Sequence, residues 1–537
     1  MAQRPLSGAR APGYTPTVIA GCSAVLLAQV AYSLPGALNG TFQQEFSTTG
    51  SQLTWITAAF AIPMVVLELT TGVIGDLFGR KRLLQAGAAL TVAGALVCCL
   101  ARSVEVMWAG QVVAGLGAAI LYPISLALIA AVATDEEGRA RSIALWAGFL
   151  SIGAAISPLL GGAFAENGSW RGAYAVVIAA AVLSFVLTFR ATDSKAPEGR
   201  RLDVPGQLTL ALGLVALLFA ATQGSESGFA RPEIIGAFAA GIVLLAAFVA
   251  IELRTGVPLL NLHLFANRAY AVVAAATVVG MFAFLAICYS MSIWLGAVQH
   301  QSALRIGVLF LFIQGPAFLL VPVVSRLIRT VSPRWVLSAG FALMAVAGLW
   351  CSTFDVADMS WTRFIPPMLA LGAGFALTVG SITAVAINTV PVRLAGMASA
   401  TTNLLRDFGF ALGPVLIAAL AIGRANDTVH AGLGAALGAS GLAHPYSDVA
   451  GGIAHEGGAM ALNSMPVVPG AGPSPQPVPM PQQLHALAFD ALGSAYNTAF
   501  LVAGICAAAA GALTLVGLFG RDEATAEVDD TGDLVAA

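Results

Sequence analysis

Three ionisable residues stand inside stretches that are otherwise almost entirely apolar, and they are the residues best suited to do chemistry. Glu68 lies in one such run, and Arg406 and Asp407 are adjacent in a later one. A charge in an apolar run is costly, so we expect these groups to line a cavity or to pair. Glu68 is a candidate proton carrier or cation-binding carboxylate; the alternative is a carboxylate that is paired or kept protonated for packing. Arg406 and Asp407 are also candidates for coupling, although a structural role near the cytoplasmic end of their helix is the preferred interpretation.

A second polar feature is the stretch Gly-Val-Ile-Gly-Asp-Leu-Phe-Gly-Arg-Lys-Arg, which runs from Gly72 to Arg82 between two long apolar runs. Asp76 ends the first run, and Arg80 and Lys81 open the second. Charge of this density marks a turn that faces water. A short cationic loop between two spans is expected on the cytoplasmic side, so this turn also orients the chain.

The composition decides the class of protein. The chain has 537 residues, of which 58 % are hydrophobic and 10 % are charged, with a mean hydropathy of +0.85. An ordinary soluble domain carries about 25 % charged residues, so this composition predicts an all-α protein that crosses the bilayer many times. A net charge of -2 gives no basis for a nucleic-acid partner.

Apolar runs between charged or turn-forming clusters predict fourteen spans. They begin near Thr17, Thr54, Leu83, Met107, Ser142, Gly172, Pro205, Glu233, Ala269, Ile306, Trp335, Phe364, Met397 and Ala491. The predicted organisation is a tail (1–16), a six-helix bundle (17–190), two inserted helices (205–253), a second six-helix bundle (269–519) and an acidic tail (520–537).

The positive charges fix the predicted orientation. With the N-terminus in the cytoplasm, eighteen of the 25 Lys and Arg residues lie inside, six lie outside and one, Arg406, lies within a span. This inward bias supports an even number of spans, with both termini on the cytoplasmic side of the cell inner membrane.

The long segment at 423–490 is predicted to be an external loop, Gly- and Ala-rich at first and then an extended proline-rich spacer. It holds His430, His444, His455 and His485, whose separations fit no compact metal motif. The six cysteines fall in or at the ends of apolar runs without ligand-like spacing. No metal and no cofactor is therefore expected.

The charged turn resembles the loop after the second helix of the major facilitator superfamily. Residues that match its pattern are Gly72, Asp76, Gly79, Arg80 and Lys81, whereas Leu77 replaces the usual Arg. The resemblance implies two pseudo-symmetric six-helix bundles that rock about a central cavity. It also implies that Asp76 acts at the cytoplasmic gate by facing the start of span 13, near Gly396 to Ser399. Arg80 is expected to meet Asp135 or Glu136.

A second motif lies in the fifth span and is similar to the antiporter signature of drug exporters. Its residues are Gly153, Ser157, Pro158, Gly161 and Gly162, with Ser157 in place of the central glycine. The thirteenth span repeats the theme at Gly409, Gly413 and Pro414. The chain thus resembles, over almost its whole length, the fourteen-helix drug:proton antiporter branch, the EmrB/QacA-type exporters.

This chain departs from that branch at two positions. The first span has no acid between Ala31 and Asn39, where many relatives carry Asp, and Gln111 stands where relatives carry Arg in the fourth span. Two residues that the resemblance associates with proton coupling are therefore missing. Transport is predicted more firmly than proton coupling.

The resemblance implies export of amphipathic drugs, toxic compounds or a secondary metabolite by alternating access, with protons as the expected coupling ion. Candidates for the cavity lining, chosen by position and polarity, are Gln29, Tyr32, Asn39, Gln111, Phe282, Tyr289 and Trp294. The expected partners are a small amphipathic substrate, protons and the lipid bilayer; periplasmic or outer-membrane accessory proteins stay open. The alternatives are an importer of a small organic solute and, from other classes, an intramembrane enzyme or a scaffold.

Overall fold

The computed structural model describes residues 13–133, 136–195, 203–256, 258, 260, 262–390, 395–440, 444–464 and 482–519. All regular structure in these ranges is helical. Most of the predicted N-terminal tail, the proline-dense tract at 466–481 and the acidic tail at 520–537 lie outside the described residues.

Seven helices form the N-terminal half. They are α1 (Tyr14–Ser33), α2 (Pro35–Phe46), α3 (Gly50–Phe78), α4 (Arg80–Cys99), α5 (Val104–Val132), α6 (Glu136–Glu166) and α7 (Arg171–Thr188). Pro35 lies at the junction of α1 and α2, which together make one membrane-length segment, Tyr14–Phe46. Two further helices follow, α8 (Val204–Ser227) and α9 (Pro232–Glu252).

Eight helices form the C-terminal half. They are α10 (Arg268–Ile293), α11 (Ala303–Leu319), α12 (Val321–Thr330), α13 (Pro333–Cys351), α14 (Ile365–Asn388), α15 (Ala395–Ser440), α16 (His444–Ser464) and α17 (Gln482–Gly517). A π-helical turn, Trp294–Val298, extends α10, and two short 3₁₀ turns, Leu262–Ala266 and Trp361–Phe364, precede α10 and α14.

The number of membrane-length helices agrees with the prediction. In the described ranges, thirteen segments are long and apolar enough to cross a membrane, and there are fourteen if α11 and α12, bent by 40°, count as one span. Thirteen of the fourteen predicted starts lie within six residues of a helix start; the last does not, because α17 begins at Gln482 instead of Ala491.

Local sequence explains where helix α3 begins and where it ends. Thr49 caps α3 through a reciprocal bond with Gln52, since the Thr49 side chain accepts from the Gln52 amide and the Gln52 side chain accepts from the Thr49 amide. Gly79, between α3 and α4, has φ 109°, a conformation that favours glycine. The glycine of the charged turn is thus required by the backbone.

Consecutive spans run in opposite directions, so each has one end on each face of the bundle. We call the face that carries Asp76 and the start of α1 the Asp76 side, and the face that carries Gly40 the Gly40 side. The halves meet along two lateral seams, where α6 packs against α11 and α3 packs against α15. We call these the α6–α11 seam and the α3–α15 seam. Helix α8 packs against both α3 and α15 and so covers the second seam.

The prediction of one long loop at 423–490 is corrected by the helices found there. Helix α15 continues to Ser440, α16 occupies residues 444–464, and α17 already begins at 482. Alanine-rich sequence without an interrupting proline explains the extension, because polar residues such as Arg424 and Asp427 can end a membrane span without ending a helix.

Helix α16 is held against the Gly40 side by polar contacts. The Asn463 amide donates to the carbonyls of Ala297 and Val298, at 3.1 Å each. Asn426 of α15 accepts from the Ala459 amide at 3.0 Å. The rings of His430 and His455, far apart in the sequence, lie 5.1 Å apart.

Candidate functional site

A cavity of about 290 Å³ lies between the two halves. Helices of both halves supply its walls: α1, α2, α3, α5 and α6 from one, and α10, α11, α14 and α15 from the other. The wall is largely apolar and aromatic, with Trp146, Leu150, Phe284, Phe310, Phe375 and Phe410 among its residues. Phe284 and Phe375 stack with ring centroids 4.2 Å apart. Such a surface suits a ligand with a large apolar body.

Four of the predicted cavity residues line this space: Gln29, Tyr32, Asn39 and Tyr289. The Gln29 side chain accepts from the Tyr122 hydroxyl at 2.8 Å. Asn39 donates to Ser292 of the other half at 2.9 Å.

The other three predicted cavity residues lie elsewhere. Gln111 is buried between α5 and α7 and donates to the Tyr174 hydroxyl at 3.0 Å. Trp294 is fully buried, with its ring 6.0 Å from that of Phe500. Phe282 is half-buried, and its backbone lies against Gly409 and Gly413 of α15. These helices are apolar on every face, so the sequence pattern does not distinguish the face toward the cavity from the face toward a neighbouring helix.

An ion triad joins the cavity to the α3–α15 seam. The Arg406 Nε and Nη2 atoms donate to the two carboxylate oxygens of Asp407 at 2.9 and 3.0 Å, and Arg406 Nη1 donates to Asn403 at 3.2 Å. Arg406 and Asp407 line the cavity. Glu68 of α3 interacts with both of them, and its Oε2 atom is buried without a hydrogen-bond partner in the described part of the chain.

The position of the triad differs from the expectation. The preferred interpretation put Arg406 and Asp407 near the end of their helix, in a structural role, whereas the structure places them in the cavity wall opposite Glu68. Two carboxylates and one guanidinium carry a net charge of -1 when ionised. One proton makes the group neutral, so this arrangement is able to bind a proton or a monovalent cation.

The charged turn is tied to its own half by a network around Arg80. Its Nη2 atom donates to Asp76 at 2.7 Å, and its Nη1 atom donates to the Ala127 carbonyl at 3.3 Å and to Ser194 at 3.2 Å. Lys81 donates through its side chain to the Phe189 carbonyl at 2.7 Å. The turn is therefore anchored on α5 and on the segment after α7.

Two partners in this network were missed by sequence reasoning. Asp193 accepts from the Lys81 backbone amide at 3.0 Å, and Ser194 accepts from Arg80. The available signal was a polar pair directly after the sixth span, on the same predicted side as the turn. Of the expected partners of Arg80, Asp135 and the Glu136 side chain lie outside the described residues, as does the side chain of Ser399.

The antiporter-type motif packs α6 on two neighbours. The Ser157 hydroxyl donates to the Val30 carbonyl of α1 at 2.6 Å, and a Cβ on Gly153 would lie 2.9 Å from the Gln29 side chain. On another face, a Cβ on Gly162 would lie 2.6 Å from the backbone of Ala303 in α11. Gly161 faces Leu34 and Leu38 of the first span, and the Pro158 carbonyl lies against Gly307 of α11.

The halves are closed on the Gly40 side. A Cβ on Gly40 would overlap the backbone of Gly296, and Ser292 bonds to the Gly36 carbonyl across the halves. Thr54 of α3 and Tyr289 of α10 share a hydrogen bond at 3.0 Å. These close approaches, with Gly162 and Gly307, seal the cavity from the Gly40 side.

Residues 21–414 match the family model of the Major Facilitator Superfamily. The chain belongs to this superfamily. As a member, it is a multi-pass membrane transporter and not an enzyme, and its two-half helical fold agrees with that membership.

Curated relatives and a solved structure agree with this membership. The chain is 29 % identical to the multidrug resistance protein Stp of Mycobacterium tuberculosis (strain ATCC 25618 / H37Rv) over 69 % of each chain. It is 26 % identical to the tetracenomycin C resistance and export protein of Streptomyces glaucescens, over 80 % of this chain and 79 % of that one. A POT family transporter in complex with 5-aminolevulinic acid superposes with a TM-score of 0.60 at 11 % identity, covering 93 % of this chain and 95 % of its own. That similarity shows the fold alone.

Proposed function

We propose that this transporter exports amphipathic small molecules across the cell inner membrane by alternating access, with a proton at the Glu68–Arg406–Asp407 triad as the coupling ion. The observation that carries the proposal is the pair Arg406 and Asp407 in the wall of an apolar, aromatic cavity between the two halves, with Glu68 interacting with both. The names of the relatives, which include multidrug resistance and tetracenomycin C resistance and export, support drugs or a secondary metabolite as substrates.

The Asp76 side is the cytoplasmic side in this proposal, and both termini lie there. The inward bias of Arg and Lys supports the assignment. The conformation closed on the Gly40 side is then inward-facing. A substrate or a proton that binds more tightly in one conformation shifts the balance between the two, and this is the physical basis of coupling.

The triad explains how coupling works without an acid in the first span. With Glu68 on α3 and Arg406 and Asp407 on α15, the two carboxylates face each other across the two halves. Protonation of one carboxylate removes repulsion across the seam, and loss of that proton restores it. The charge state of the triad is therefore coupled to how closely α3 and α15 approach.

The test is substrate-driven proton movement in vesicles that contain the purified protein. Glu68→Gln and Asp407→Asn keep the shape of each side chain but remove its titration, and each is expected to reduce proton movement at least tenfold. Glu45→Gln is the matched control, because Glu45 pairs at 2.9 Å with Arg171 on the Gly40 side, away from the cavity. Coupling that persists unchanged in both triad variants would remove the triad from the mechanism.

Direction and gating need their own measurements. Uptake of labelled substrate into vesicles of opposite orientation distinguishes an exporter from an importer. For the gate, Asp76→Ala removes the carboxylate that we propose faces the start of α15 when the Asp76 side is closed, so we expect it to favour the inward-open conformation. Cysteine-accessibility labelling of the cavity that showed no shift in this variant would contradict the gate role.

A further inference from the structure

The α6–α11 seam is tight on the Gly40 side. A Cβ added to Gly162 of α6 would lie 2.6 Å from the backbone of Ala303 and Leu304, and one added to Gly307 of α11 would lie 2.6 Å from the Pro158 carbonyl oxygen. Only glycine allows helix backbones to approach this closely. No space remains here for a molecule to pass between the helices.

The same seam is wide toward the Asp76 side. A Cβ added to Gly148 of α6 or to Gly315 of α11 would meet no atom within 4 Å. The first third of α6 is exposed on most of its circumference, at Ile143, Leu145 and Ala147. The helices that pack closely at one end therefore diverge at the other.

The empty space lies between the helices. With about 100° per residue, Gly148 points within about 40° of Gly162, the residue that touches α11, and Gln314 points within about 20° of Gly307, which touches α6. The α6 surface that touches α11 at Gly162 thus has no partner at Gly148, and Gly315, the open position of α11, points about 80° from Gly307, at the edge of the surface that faces α6. Helix α11 contains Pro316 and ends at Leu319, beyond which α12 bends away by 40°.

This gap is continuous with the cavity. Ala147, Ser151 and Gln314 line the cavity and also flank the gap. The Ser151 hydroxyl is satisfied by the Ala147 carbonyl at 3.0 Å, and none of these flanking residues carries a charge. The outer surface beside the gap is apolar, with Leu311 and Phe318 exposed.

The gap lies at a depth that acyl chains occupy. Gly148 is seven residues beyond Arg141, the last charged residue before the span, which places it about 10 Å along the helix from that charge. The hydrocarbon core is about 30 Å thick, so this position lies within one leaflet.

We propose that the gap between α6 and α11 is a lateral portal through which a membrane-partitioned amphiphile enters the cavity from the leaflet on the Asp76 side. This inference rests on the proposed export function and adds the route of the substrate. The occupant is a molecule with a large apolar body and a neutral or singly positive head. The body slides along the apolar walls, and the head reaches the triad, which carries one net negative charge when ionised.

The first experiment tests the portal without any substrate. Bimane on Gly148→Cys or Gly315→Cys is exposed in turn to a nitroxide attached to the lipid chain and to iodide in water, with identically treated parent protein as the blank for the six native cysteines. Gly236→Cys of α9, an open glycine on an exposed helix face, is the lipid control, and Met359→Cys, in the loop after α13, is the water control.

We expect the nitroxide to quench both portal sites at least half as strongly as Gly236→Cys, and iodide to quench them weakly. Quenching by iodide alone, or by neither agent, would overturn the portal.

The second experiment uses methyltriphenylphosphonium and dodecyltriphenylphosphonium, which share a head but differ greatly in membrane partitioning. Gly148→Trp and Gly315→Trp fill the gap, and Gly236→Trp is the matched control. We expect the portal variants to slow export of the dodecyl cation at least fivefold more than that of the methyl cation. An equal loss for both would mean entry from water and would contradict the portal. If the parent protein moves neither cation, export of this class fails, while the quenching result still decides the portal.

Discussion

The two seams between the halves join equivalent helices. Helices α3 and α11 are the second spans of their halves, and α6 and α15 are the fifth. The two seams are nevertheless packed differently. The α3–α15 seam is covered by α8, whose Leu214 and Leu218 form a buried cluster with Ile62 of α3 and Val415 of α15. Among the described helices, none covers the α6–α11 seam from the outside as α8 covers the other, and the α6–α11 seam diverges toward the Asp76 side.

The charged residues are also distributed unequally between the two seams. The triad of Glu68, Arg406 and Asp407 lies at the covered seam, where α8 shields it from lipid. The residues that flank the gap at the uncovered seam are uncharged. A charged side chain in direct contact with lipid would have a large free-energy cost, so shielding by α8 stabilises the seam that holds the charged residues. The comparison teaches that one seam is built for ion chemistry and the other for passage of an apolar molecule.

The largest effect is expected where the uncovered seam must close. Gly162→Ala places a methyl group 2.6 Å from the backbone of Ala303 and Leu304, so the conformation closed on the Gly40 side is strained by about 1 to 3 kcal/mol. The equilibrium should shift about 5- to 150-fold toward the opposite conformation. Labelling of Ser292→Cys by an impermeant maleimide from the Gly40 side measures the shift, because Ser292 is buried when the halves meet there.

Gly148→Ala is the control for that measurement, since its added methyl group meets no atom within 4 Å on the same helix. Its labelling should match that of the parent protein. Equal labelling of Gly162→Ala and Gly148→Ala would mean that the two ends of the α6–α11 seam do not differ in packing.

A smaller effect is expected at the anchor of α8 on the covered seam. The Gln207 side chain hydrogen-bonds to the Val66 carbonyl and to the Thr70 hydroxyl of α3. Gln207→Leu removes both bonds while keeping an apolar body, and we expect a loss of about 1 to 2 kcal/mol in unfolding free energy. Reversible unfolding in mixed micelles measures it, with Thr209→Val as the control, because the Thr209 side chain bonds only within α8. No difference between the two variants would show that α8 is held by apolar packing alone.

The sequence predicted the number and approximate starts of the spans because a membrane helix needs a long apolar run, which is a local property. It predicted Gln29 and Tyr289 in the cavity wall because polar groups within such runs seek a cavity or a partner. It did not predict that Arg406 and Asp407 line the cavity, because the direction in which they point is decided by the packing of α15 against other helices, although the start of that helix was predicted within two residues.

Other features depend on contacts between distant segments. That Trp294 faces Phe500 instead of the cavity, and that α8 covers only one seam, are consequences of tertiary packing between helices that are apolar on all faces. Two glycines of α6 show most directly what the sequence does not predict. Gly148 and Gly162 are the same residue type on the same helix, yet a Cβ added to Gly148 would meet open space and one added to Gly162 would meet the backbone of α11.

The smallest effect is expected from Ser157→Gly, which restores the glycine of the antiporter-type signature. The Ser157 hydroxyl donates to the Val30 carbonyl at 2.6 Å, on the face of α6 that packs against α1 inside the N-terminal half. Its loss should cost about 0.6 kcal/mol, the average for such bonds in membranes, and leave the labelling of Ser292→Cys unchanged. Since α1 and α6 move together in the rocking model, their contact stabilises the half without favouring either conformation. A change in Ser292→Cys labelling similar to that of Gly162→Ala would show instead that α6 moves relative to α1. The N-terminal half would then not move as one rigid body.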